Sequence, residues 1–320
     1  MGESDKVMGL DEVVRKFVRN GNHIAFGGFT LNRMPVALIY EIIRQGVKGL
    51  HVYGHSPGFG VDILIGSGSV RAIELAYEAD EGFGRVGPRF RKAVERNEIV
   101  WEDYSNFGMT LRFLAGAMGV SFLPTKTMLG SDMVSREGFS REFRESDPKI
   151  ASKKLEVIEC PFTGEKVVAL PAINPDVAVI HAQVADADGN VRIYGQAFAD
   201  DIIAKSADRV IVTCEKLVDS DELRKFPEQN ALPGFLVDAV VPVEFGAHPT
   251  SCARYYDYDP EFLRMYHSLA KDDGSFADFL EKYVLGVEDH DEYLRKVGTA
   301  KLESLRASFE VGYNPELKRV

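Results

Sequence analysis

The chain has 320 residues, of which 45% are hydrophobic, and its 38 basic and 49 acidic side chains give a net charge of −11. This composition is sufficient for a large folded core, and the acidic balance argues against a general nucleic-acid binder, which needs a broad basic surface. The three cysteines, Cys160, Cys214 and Cys252, are far apart, so we expect no disulfide framework and no metal site. With neither an apolar leader nor a run of roughly 20 apolar residues, we expect a cytoplasmic protein without a membrane segment.

Helices and strands alternate along the first third of the chain. Apolar residues at helical spacing predict helices, and short apolar runs that end in glycine predict strands. The predicted elements are a helix over 10–18, a strand over 24–26, a helix over 35–46, strands over 50–53 and 72–77, and helices over 90–95 and 109–118. Such alternation is typical of an α/β fold, an open, mostly parallel sheet with helices on both faces.

The pattern changes in the second part of the chain. We predict a β-hairpin from 155–159 and 166–170, a buried strand over 177–182 with a turn at 185–191, a helix over 202–207, strands over 210–212 and 236–243, and surface helices in the last sixty residues. The segment 124–154 is polar with weak periodicity, which indicates a loop or lid insertion. We expect one domain over 1–320, an α/β core with an added β-hairpin region and C-terminal helices.

The sharpest local pattern is the sequence from Asn20 to Pro35, in which a predicted strand ends in Gly27-Gly28 before a helix. Glycine permits positive φ and lets a ligand approach the backbone closely. Free N–H groups at such a turn hold an anion or a developing oxyanion. On the residues alone, a tight turn between a strand and a helix explains the pattern about as well.

This segment resembles the N-terminal signature of class I CoA-transferases: a polar-Gly start, three apolar residues, Gly-Gly-Phe, and a proline six residues on. Many members have glycine at the position of Arg33, whereas the A subunits of glutaconate CoA-transferases have arginine. Further stretches resemble those A subunits in order and spacing, and they lie at 90–92, 102–105, 122–124, 176–183, 211–215, 237–241, 246–249 and 289–294.

The resemblance implies an A subunit that works with a B subunit of similar fold, in a complex that is A2B2 or larger. The B subunit is expected to supply a nucleophilic glutamate, so this chain is expected to contain no catalytic residue. Coenzyme A enters as the acyl-CoA substrate and not as a bound cofactor, and a free carboxylic acid is the acceptor. The A subunit is expected to line the acyl pocket through Gly27, Gly28, Phe29, Thr30 and Arg33.

Two features of the expected pocket leave alternatives open. Arg33 is either a bidentate ligand for a free carboxylate or a solvated cation at a helix start. The family's small polar loop, Tyr-Thr-Ala-Asn-Ser-Gly, is replaced here by Tyr77-Glu78-Ala79-Asp80-Glu81-Gly82. Three acids repel a substrate carboxylate unless cations intervene, so either the acids face solvent or the substrate differs from glutaconate. Glu81 is the residue of this loop that we assign to the substrate site.

Some relatives of the fold hydrolyse a ring-degradation CoA thioester, and an A-chain carboxylate then acts as general base. Glu81 and Glu102 are the candidates for that role, although Glu102 is also placed to cap the helix that starts at Ser105. A third alternative is a regulatory sensor or an isomerase-like protein that works alone.

Weaker patterns complete the set of candidates. His248, in a Gly-Ala-His-Pro loop, is assigned to the ligand or the partner. His181 ends an apolar strand and is expected to be a satisfied core histidine. Arg89, Arg91 and Lys92 either meet CoA phosphates or form a solvated helix face, and the Asp-rich turn at 186–190 fits a hairpin better than a calcium loop.

Overall fold

An eight-stranded, mostly parallel sheet forms the centre of the chain in the computed structural model, which describes residues 6–319. The strands, in chain order, are β1 His23–Phe26, β2 Leu50–Gly54, β3 Val70–Leu75, β4 Val100–Asp103, β5 Phe122–Thr125, β6 Glu156–Glu159, β7 Lys166–Pro171, β8 Val177–Asp186, β9 Val191–Arg192, β10 Arg209–Val218 and β11 Ala239–Pro242. The helices are α1 Leu10–Phe17, α2 Val36–Arg44, α3 Phe59–Gly66, α4 Pro88–Glu95, α5 Asn106–Met118, α6 Arg141–Glu145, α7 Asp200–Ser206, α8 Ser220–Arg224, α9 Pro260–Leu269, α10 Asp273–Leu280, α11 His290–Val297 and α12 Thr299–Ser304.

The large sheet has the order β11-β10-β8-β1-β2-β3-β4, and only β9, which pairs with β8, runs antiparallel in it. From β1 the chain moves outward to β4 on one side, and from β8 it moves outward to β11 on the other. The strand order therefore reverses between β1 and β8. In open α/β sheets the crevice at such a switch point, beyond the carboxyl ends of the strands, is where ligands bind.

One face of the sheet is largely apolar, apart from the buried polar residues His181, Thr213 and Glu215 of β8 and β10. It is covered by α1, α2 and α3 and by the C-terminal helices, which bury Phe262 and Tyr266 in the same core. The sequence predicts surface helices here, but a continuous aromatic layer makes them part of the main core. The sequence analysis also assigns no element to α3, whose residues are buried on all sides except at its last position, so that it has no polar face to mark a helix.

The opposite face differs between its two halves. Under β8, β10 and β11 it is apolar and covered by α5 and α7. Under β1 to β4 it carries buried polar residues, among them His23, His51, Glu74 and Glu102. Arg112 of α5 reaches this layer and lies 2.6 Å from Glu74.

The polar half is covered by the segment between β5 and β6. Its residue Arg144 lies 2.6 Å from Glu102, and its Lys154, which is 1% exposed, donates from Nζ to Asp103 at 2.9 Å. Burial would raise the pKa of the Glu74 carboxyl, but Arg112 and hydrogen bonding from His51 outweigh burial and hold that pKa below its usual range.

The small second sheet has the order β5-β7-β6 and is antiparallel throughout, so the predicted hairpin is confirmed. The turn at 185–191 likewise forms the β8–β9 hairpin. Among residues 6–319, no helix is long and apolar enough to cross a membrane. The α/β fold with an open, mostly parallel sheet and helices on both faces is therefore as predicted.

Candidate active site

The glycine turn follows β1 at the switch point of the sheet. A Cβ atom on Gly27 would lie 2.7 Å from Ile180 Cδ1 and 2.8 Å from Asp200 Oδ1, and Gly28 has a φ of +86°. A Cβ atom on Gly28 would also lie 2.6 Å from the carbonyl oxygen of Arg33. Any other residue at either position therefore has to displace its neighbours, so this packing requires both glycines.

The turn contradicts the prediction that its N–H groups are free to hold an anion. Gly27 N–H donates to Val179 O at 2.8 Å, and Gly28 N–H donates to Asp200 Oδ1 at 2.7 Å. The next two N–H groups of the turn also have partners within the chain. Phe29 N–H donates to Asn32 O at 2.8 Å, and Thr30 N–H donates to Ser56 O at 2.9 Å. The turn offers a ligand its shape and its side chains, but no unpaired N–H donor from these four residues.

Arg33 is buried, with 2% of its surface exposed, which contradicts a solvated helix-start cation. Its Nη1 donates to Asp200 Oδ2 at 2.5 Å and to His181 O at 3.0 Å, and its Nη2 donates to Gln196 O at 2.7 Å. A guanidinium has five N–H donors. The described part of the chain thus leaves Nε–H and one Nη2–H without a protein acceptor.

Asp200, which the sequence analysis did not single out, ties the turn together. It is the first residue of α7 and fully buried, and its two oxygens accept from Gly28 N–H and from Arg33. One carboxylate therefore fixes both the glycine turn and the guanidinium. The only sequence signal for this role is an acid at the start of a helix, which is common at helix N-termini.

Strained backbone marks the same place. Thr30, Arg33 and Phe198 have φ values of +44°, +51° and +51°. Bulky or β-branched residues rarely occupy this left-handed region, and each does so at a cost of about 1 kcal/mol or more. Since such outliers concentrate at functional sites, three of them around one turn favour this region as the candidate site.

Aromatic side chains form the wall beside Arg33. The rings of Phe29 and Phe198 stack with centroids 4.8 Å apart, and the guanidinium carbon of Arg33 lies 5.9 Å from the centroid of Phe198. Phe198 is 37% exposed. A cavity of about 330 Å³ opens at this point, and its lining consists of Asn32, Arg33, Tyr194, Gln196, Phe198 and Ala253.

His55 and Ser56 follow β2 on the other side of Phe29. His55 Nε2 lies 3.0 Å from Thr110 Oγ1, which itself donates to Asn106 O, so Nε2 carries the proton and Nδ1 is an acceptor. Burial lowers the pKa of His55, which favours this neutral form. Nδ1 of His55 and Oγ of Ser56 are both buried without a partner in residues 6–319. The sequence analysis missed both residues.

The acidic loop is divided between the interior and the surface. Asp80 Oδ1 accepts from Phe59 N–H at 2.9 Å, at the start of α3, and Asp80 Oδ2 lies 2.8 Å from His267 Nε2. Glu78 is also buried, and burial raises the pKa of its carboxyl well above the usual range. Only Glu81 of the three acids is exposed.

Glu102 occupies a closed network and neither caps α5 nor faces a cleft. Its Oε1 accepts from Arg144 at 2.6 Å and from Gly138 N–H at 2.9 Å, and its Oε2 accepts from Tyr104 Oη at 3.0 Å. The helix cap is Ser105 itself. Because Glu102 is 1% exposed, the structure gives no path by which it activates a water molecule.

His248 is also enclosed, at 1% exposure, and it lies among aromatic rings of the core. Its Nδ1 lies 2.6 Å from Tyr293 Oη and its Nε2 lies 3.3 Å from Asp259 Oδ2. Both ring nitrogens are engaged inside the protein. The predicted contact of His248 with a ligand or a partner therefore has no surface in this chain.

His181 forms the satisfied core site that was predicted, in a cluster with Glu215 and Cys252 whose ligand atoms lie within 4.8 Å of one another. Glu215 Oε1 accepts from Tyr256 Oη at 2.5 Å and Gly246 N–H at 3.0 Å, and it lies 2.8 Å from His181 Nε2. A carboxylate with this many hydrogen bonds is already satisfied, so the cluster is a structural hub and does not fit a metal ion.

Comparison with known proteins agrees with this geometry. Residues 7–242 match the family described as Coenzyme A transferase. The A subunit of glutaconate CoA-transferase from Acidaminococcus fermentans is 42% identical over 315 residues, which cover 98% of this chain and 98% of that protein. The crystal structure of glutaconate coenzyme A-transferase from the same organism matches with a TM-score of 0.95 and 42% identity, over 98% of this chain and 99% of that chain.

A more distant relative performs other chemistry. A cholesterol ring-cleaving hydrolase subunit, IpdA, of Rhodococcus jostii is 30% identical over 292 residues, which cover 90% of this chain and 95% of that protein. Both relatives extend over nearly the whole sequence, and the resemblance seen in the glycine turn and in the later stretches is confirmed. The chain belongs to the coenzyme A transferase family.

Proposed function

We propose that this chain is the A subunit of a heteromeric CoA-transferase that moves CoA from an acyl-CoA to a free carboxylic acid. The observation that carries the proposal is the full-length likeness to the A subunit of glutaconate CoA-transferase, at 42% identity and a TM-score of 0.95. The partner B subunit supplies the nucleophilic glutamate, and the complex is A2B2 or larger.

The reaction proceeds through exchange at that glutamate. The carboxylate attacks the thioester carbonyl, the carbon–sulfur bond breaks, and CoA leaves as a thiolate from an acyl–glutamyl anhydride. The thiolate then attacks the glutamyl carbonyl, which releases the first acid and leaves a glutamyl-CoA thioester. The acceptor acid repeats these steps in reverse order and departs as the new acyl-CoA.

This chain contributes one wall of the acyl pocket. The turn at Gly27 and Gly28 brings the ligand close to the backbone, and Phe29 supplies an apolar surface. Arg33 has two N–H groups without a protein acceptor and is held rigidly by Asp200, so a substrate carboxylate in the cavity gains charge-assisted hydrogen bonds at little cost in ordering.

The exposed Glu81 sets the choice of acid in this proposal. Glu81 directly follows Asp80, and Gly58 packs against both Asp80 and Thr30 of the glycine turn, so we place the exposed carboxylate of Glu81 where it repels a second carboxylate of the substrate. Glu81→Ser is therefore expected to raise the kcat/KM for C5 dicarboxylates several-fold relative to monocarboxylates, by roughly 1 kcal/mol of relieved repulsion. Unchanged selectivity of the variant, measured beside Glu159→Ser as a control at an exposed acid on β6, contradicts this role.

Hydrolysis of a ring-degradation CoA thioester is less well supported. It needs an A-chain carboxylate that reaches water, and Glu102 is enclosed by Arg144 and Tyr104. Glu81 is exposed but carries no contact that orients it as a base among the described residues. A protein that works alone on the same fold is disfavoured by relatives whose names describe them as subunits.

One reconstitution separates these functions. The purified chain is mixed with an acyl-CoA and its B subunit, with and without an acceptor acid. Transfer produces the second acyl-CoA only when the acceptor is present, whereas hydrolysis releases CoA without it. Hydroxylamine trapping is expected to modify a glutamate of the B subunit, and light scattering gives the stoichiometry. Exchange of CoA by the isolated chain overturns the proposal.

A further inference from the structure

Three carboxyl groups are buried together where the acidic loop meets the helices α3 and α4. Asp62 of α3 is not exposed, and Glu78 and Asp80 of the loop are 5% and 1% exposed. A Cβ atom on Gly87 would lie 2.2 Å from Glu78 Oε2 and 2.4 Å from Asp62 Oδ1, so these two oxygens are less than about 5 Å apart. Two negative charges this close repel each other strongly where water is excluded. The cluster therefore requires that part of its charge is neutralised.

Asp62 and Asp80 have the partners that a buried carboxylate needs. Asp80 Oδ2 lies 2.8 Å from His267 Nε2. Asp62 accepts from Phe90 N–H at 2.7 Å, at the start of α4, and from Tyr266 Oη at 2.6 Å. Burial raises the pKa of Asp62 to about 6, because these hydrogen bonds oppose a larger rise. Both groups are therefore supported as anions at neutral pH.

Glu78 has much less support for a negative charge. Its Oε2 accepts from Gly87 N–H at 2.8 Å, and its Oε1 is buried without a partner in residues 6–319. The guanidinium of Arg89, in the first turn of α4, is bonded to Asp273 instead, at 2.8 Å. Burial, and then the two neighbouring acids, raise the pKa of Glu78 well above its usual range. The site therefore fits Glu78 as a neutral carboxyl and not as an anion.

The other titratable and charged groups around Glu78 come from every element packed against it. They are Asp62 of α3, Tyr77 and Asp80 of the loop, Arg89 of α4, and Tyr266 and His267 of α9. Burial raises the pKa of both tyrosines, so they stay neutral up to pH 9. Of the clustered acids, Glu78 is thus the one whose proton is lost last as the pH rises.

The acidic loop supports the acyl site through direct contacts. A Cβ atom on Gly58 would lie 3.0 Å from Ala79 O and 3.2 Å from Thr30 O, so one glycine separates the loop from the glycine turn. Ala79 N–H donates to Pro57 O at 3.4 Å, and the neighbouring Ser56 O accepts from Thr30 N–H at 2.9 Å. A displacement of the loop therefore reaches Thr30 through one layer of backbone.

We propose that Glu78 is a positioning residue for the acyl site: as a neutral carboxyl it holds the acidic loop against the start of α4, and loss of its proton releases the loop. The inference rests on the proposed function, since the acyl pocket that the loop supports belongs to that reaction. The loop is held at a pH below the pKa of Glu78 in the folded chain and is released as the pH rises through that pKa. Transfer of CoA is then weakened on the alkaline side.

The first test is hydrogen exchange of the segment 77–87 in the assembled A–B complex, which does not depend on turnover. Rates are corrected for the intrinsic pH dependence of amide exchange and compared from pH 5 to pH 9. We expect exchange in the wild type to rise about tenfold or more over this range. In Glu78→Gln it should stay constant, because the amide has the shape of the neutral carboxyl but does not titrate.

Two further variants accompany this measurement. Glu78→Thr introduces the residue that the family's loop has at this position, and it should also remove the pH dependence. Glu159→Gln, at an exposed acid on β6, is the control and should keep the wild-type profile.

The second test is kinetic. The kcat/KM of the wild-type complex is divided by that of Glu78→Gln at each pH, with the same acyl-CoA and acceptor acid, so that titration of the B subunit cancels. We expect this ratio to fall about tenfold between pH 5 and pH 9. The corresponding ratio for Glu159→Gln should stay constant.

Loop exchange in the wild type that does not change with pH overturns the inference, whether or not the variants fold. Parallel exchange profiles in the wild type and both Glu78 variants also overturn it, because another group then opens the loop. A constant kcat/KM ratio overturns the positioning role even where the loop is released. Exchange as expected in a complex that transfers no CoA to any acid contradicts the proposed function, yet supports the release of the loop by loss of the Glu78 proton.

Discussion

Two buried arginine–carboxylate pairs in this chain are almost identical in geometry but differ in their surroundings. Arg33–Asp200 and Arg144–Glu102 have N–O distances of 2.5 and 2.6 Å, and in each pair the arginine is 2% exposed and the acid is not exposed. The first pair lies beside strained backbone, a cavity and the partly exposed Phe198. The second is enclosed by the segment between β5 and β6.

The difference teaches that burial of an ion pair does not by itself mark a functional site. Removal of one member of either pair leaves an uncompensated buried charge. Arg144 Nε also lacks a hydrogen-bond partner within residues 6–319. Of the two pairs, it is the one at Arg33 where unused donors coincide with positive φ angles and an open cavity, so that pair is placed to act on a ligand. The pairs are therefore matched controls for each other, one for function and one for stability.

The largest expected effect is on stability, from Glu102→Ala. The charge of Arg144 remains buried without its partner, so the free energy of unfolding of the purified chain is expected to fall by roughly 3–5 kcal/mol in urea titration. The double variant Glu102→Leu/Arg144→Leu is expected to recover most of this loss, because no charge is then left unpaired. Failure of the double variant to recover any stability breaks the assignment of this pair to a purely structural role.

The next effect is on catalysis, from Asp200→Asn. The amide keeps an acceptor for Gly28 N–H but loses the charge that fixes Arg33, so kcat of the reconstituted complex is expected to fall about 100-fold. Asp201→Asn, at the neighbouring residue whose side chain is 42% exposed, is the control and should retain wild-type turnover. Wild-type turnover in both variants would show that the two buried pairs do not differ in function.

A smaller effect is expected from Phe198→Ala, at the wall of the cavity. The lost stacking on Phe29 should raise the KM for the acyl-CoA about fivefold, while the free energy of unfolding changes by less than about 1 kcal/mol. Phe235→Ala, at a phenylalanine that is 85% exposed, should change neither quantity. A KM that rises equally in the two variants removes Phe198 from the site.

The smallest expected effect is a pH dependence of the free energy of unfolding, which arises in the buried polar layer under β1 to β4. Burial, and then the neighbouring His51, lower the pKa of His23, which stacks on His51 at 4.4 Å. His23 therefore binds a proton near pH 6.5 in the unfolded chain but only at a lower pH in the folded chain. The free energy of unfolding should decline as the pH falls below about 6.5, and His23→Asn should reduce that slope between pH 7 and 5. An unchanged slope assigns the acid sensitivity to other groups.

The sequence predicts the fold well because most elements carry a local pattern. The strand before Gly27 and the helix from Pro35 follow from apolar spacing and from glycine and proline. The α3 helix, which is apolar on nearly every side, has no such pattern. The depth at which Phe262 lies in the core was not predictable for a different reason. An apolar stripe indicates that one face of a helix is buried, but not what covers that face.

The site is only partly predictable from the sequence. The Gly-Gly-Phe pattern locates the turn, but the partner of Arg33 lies 167 residues away in the chain. An acid such as Asp200 carries no local sign of its long-range contact. The opposite error occurred at Glu102, where a local capping pattern hid a network formed with residues of a distant segment.

The glycine turn, whose N–H groups are all hydrogen-bonded, bears on which subunit of the proposed complex stabilises the reacting thioester. Because every N–H from Gly27 to Thr30 is already bonded, this stretch gives the developing negative charge on a thioester oxygen no electrostatic help. In the proposed complex this turn would shape the acyl pocket, and the groups that polarise the thioester would come from Arg33, whose remaining N–H donors have no acceptor within residues 6–319, or from the partner subunit. A different reaction would then be reached most directly by a change of partner subunit, with the glycine turn of this chain kept unchanged.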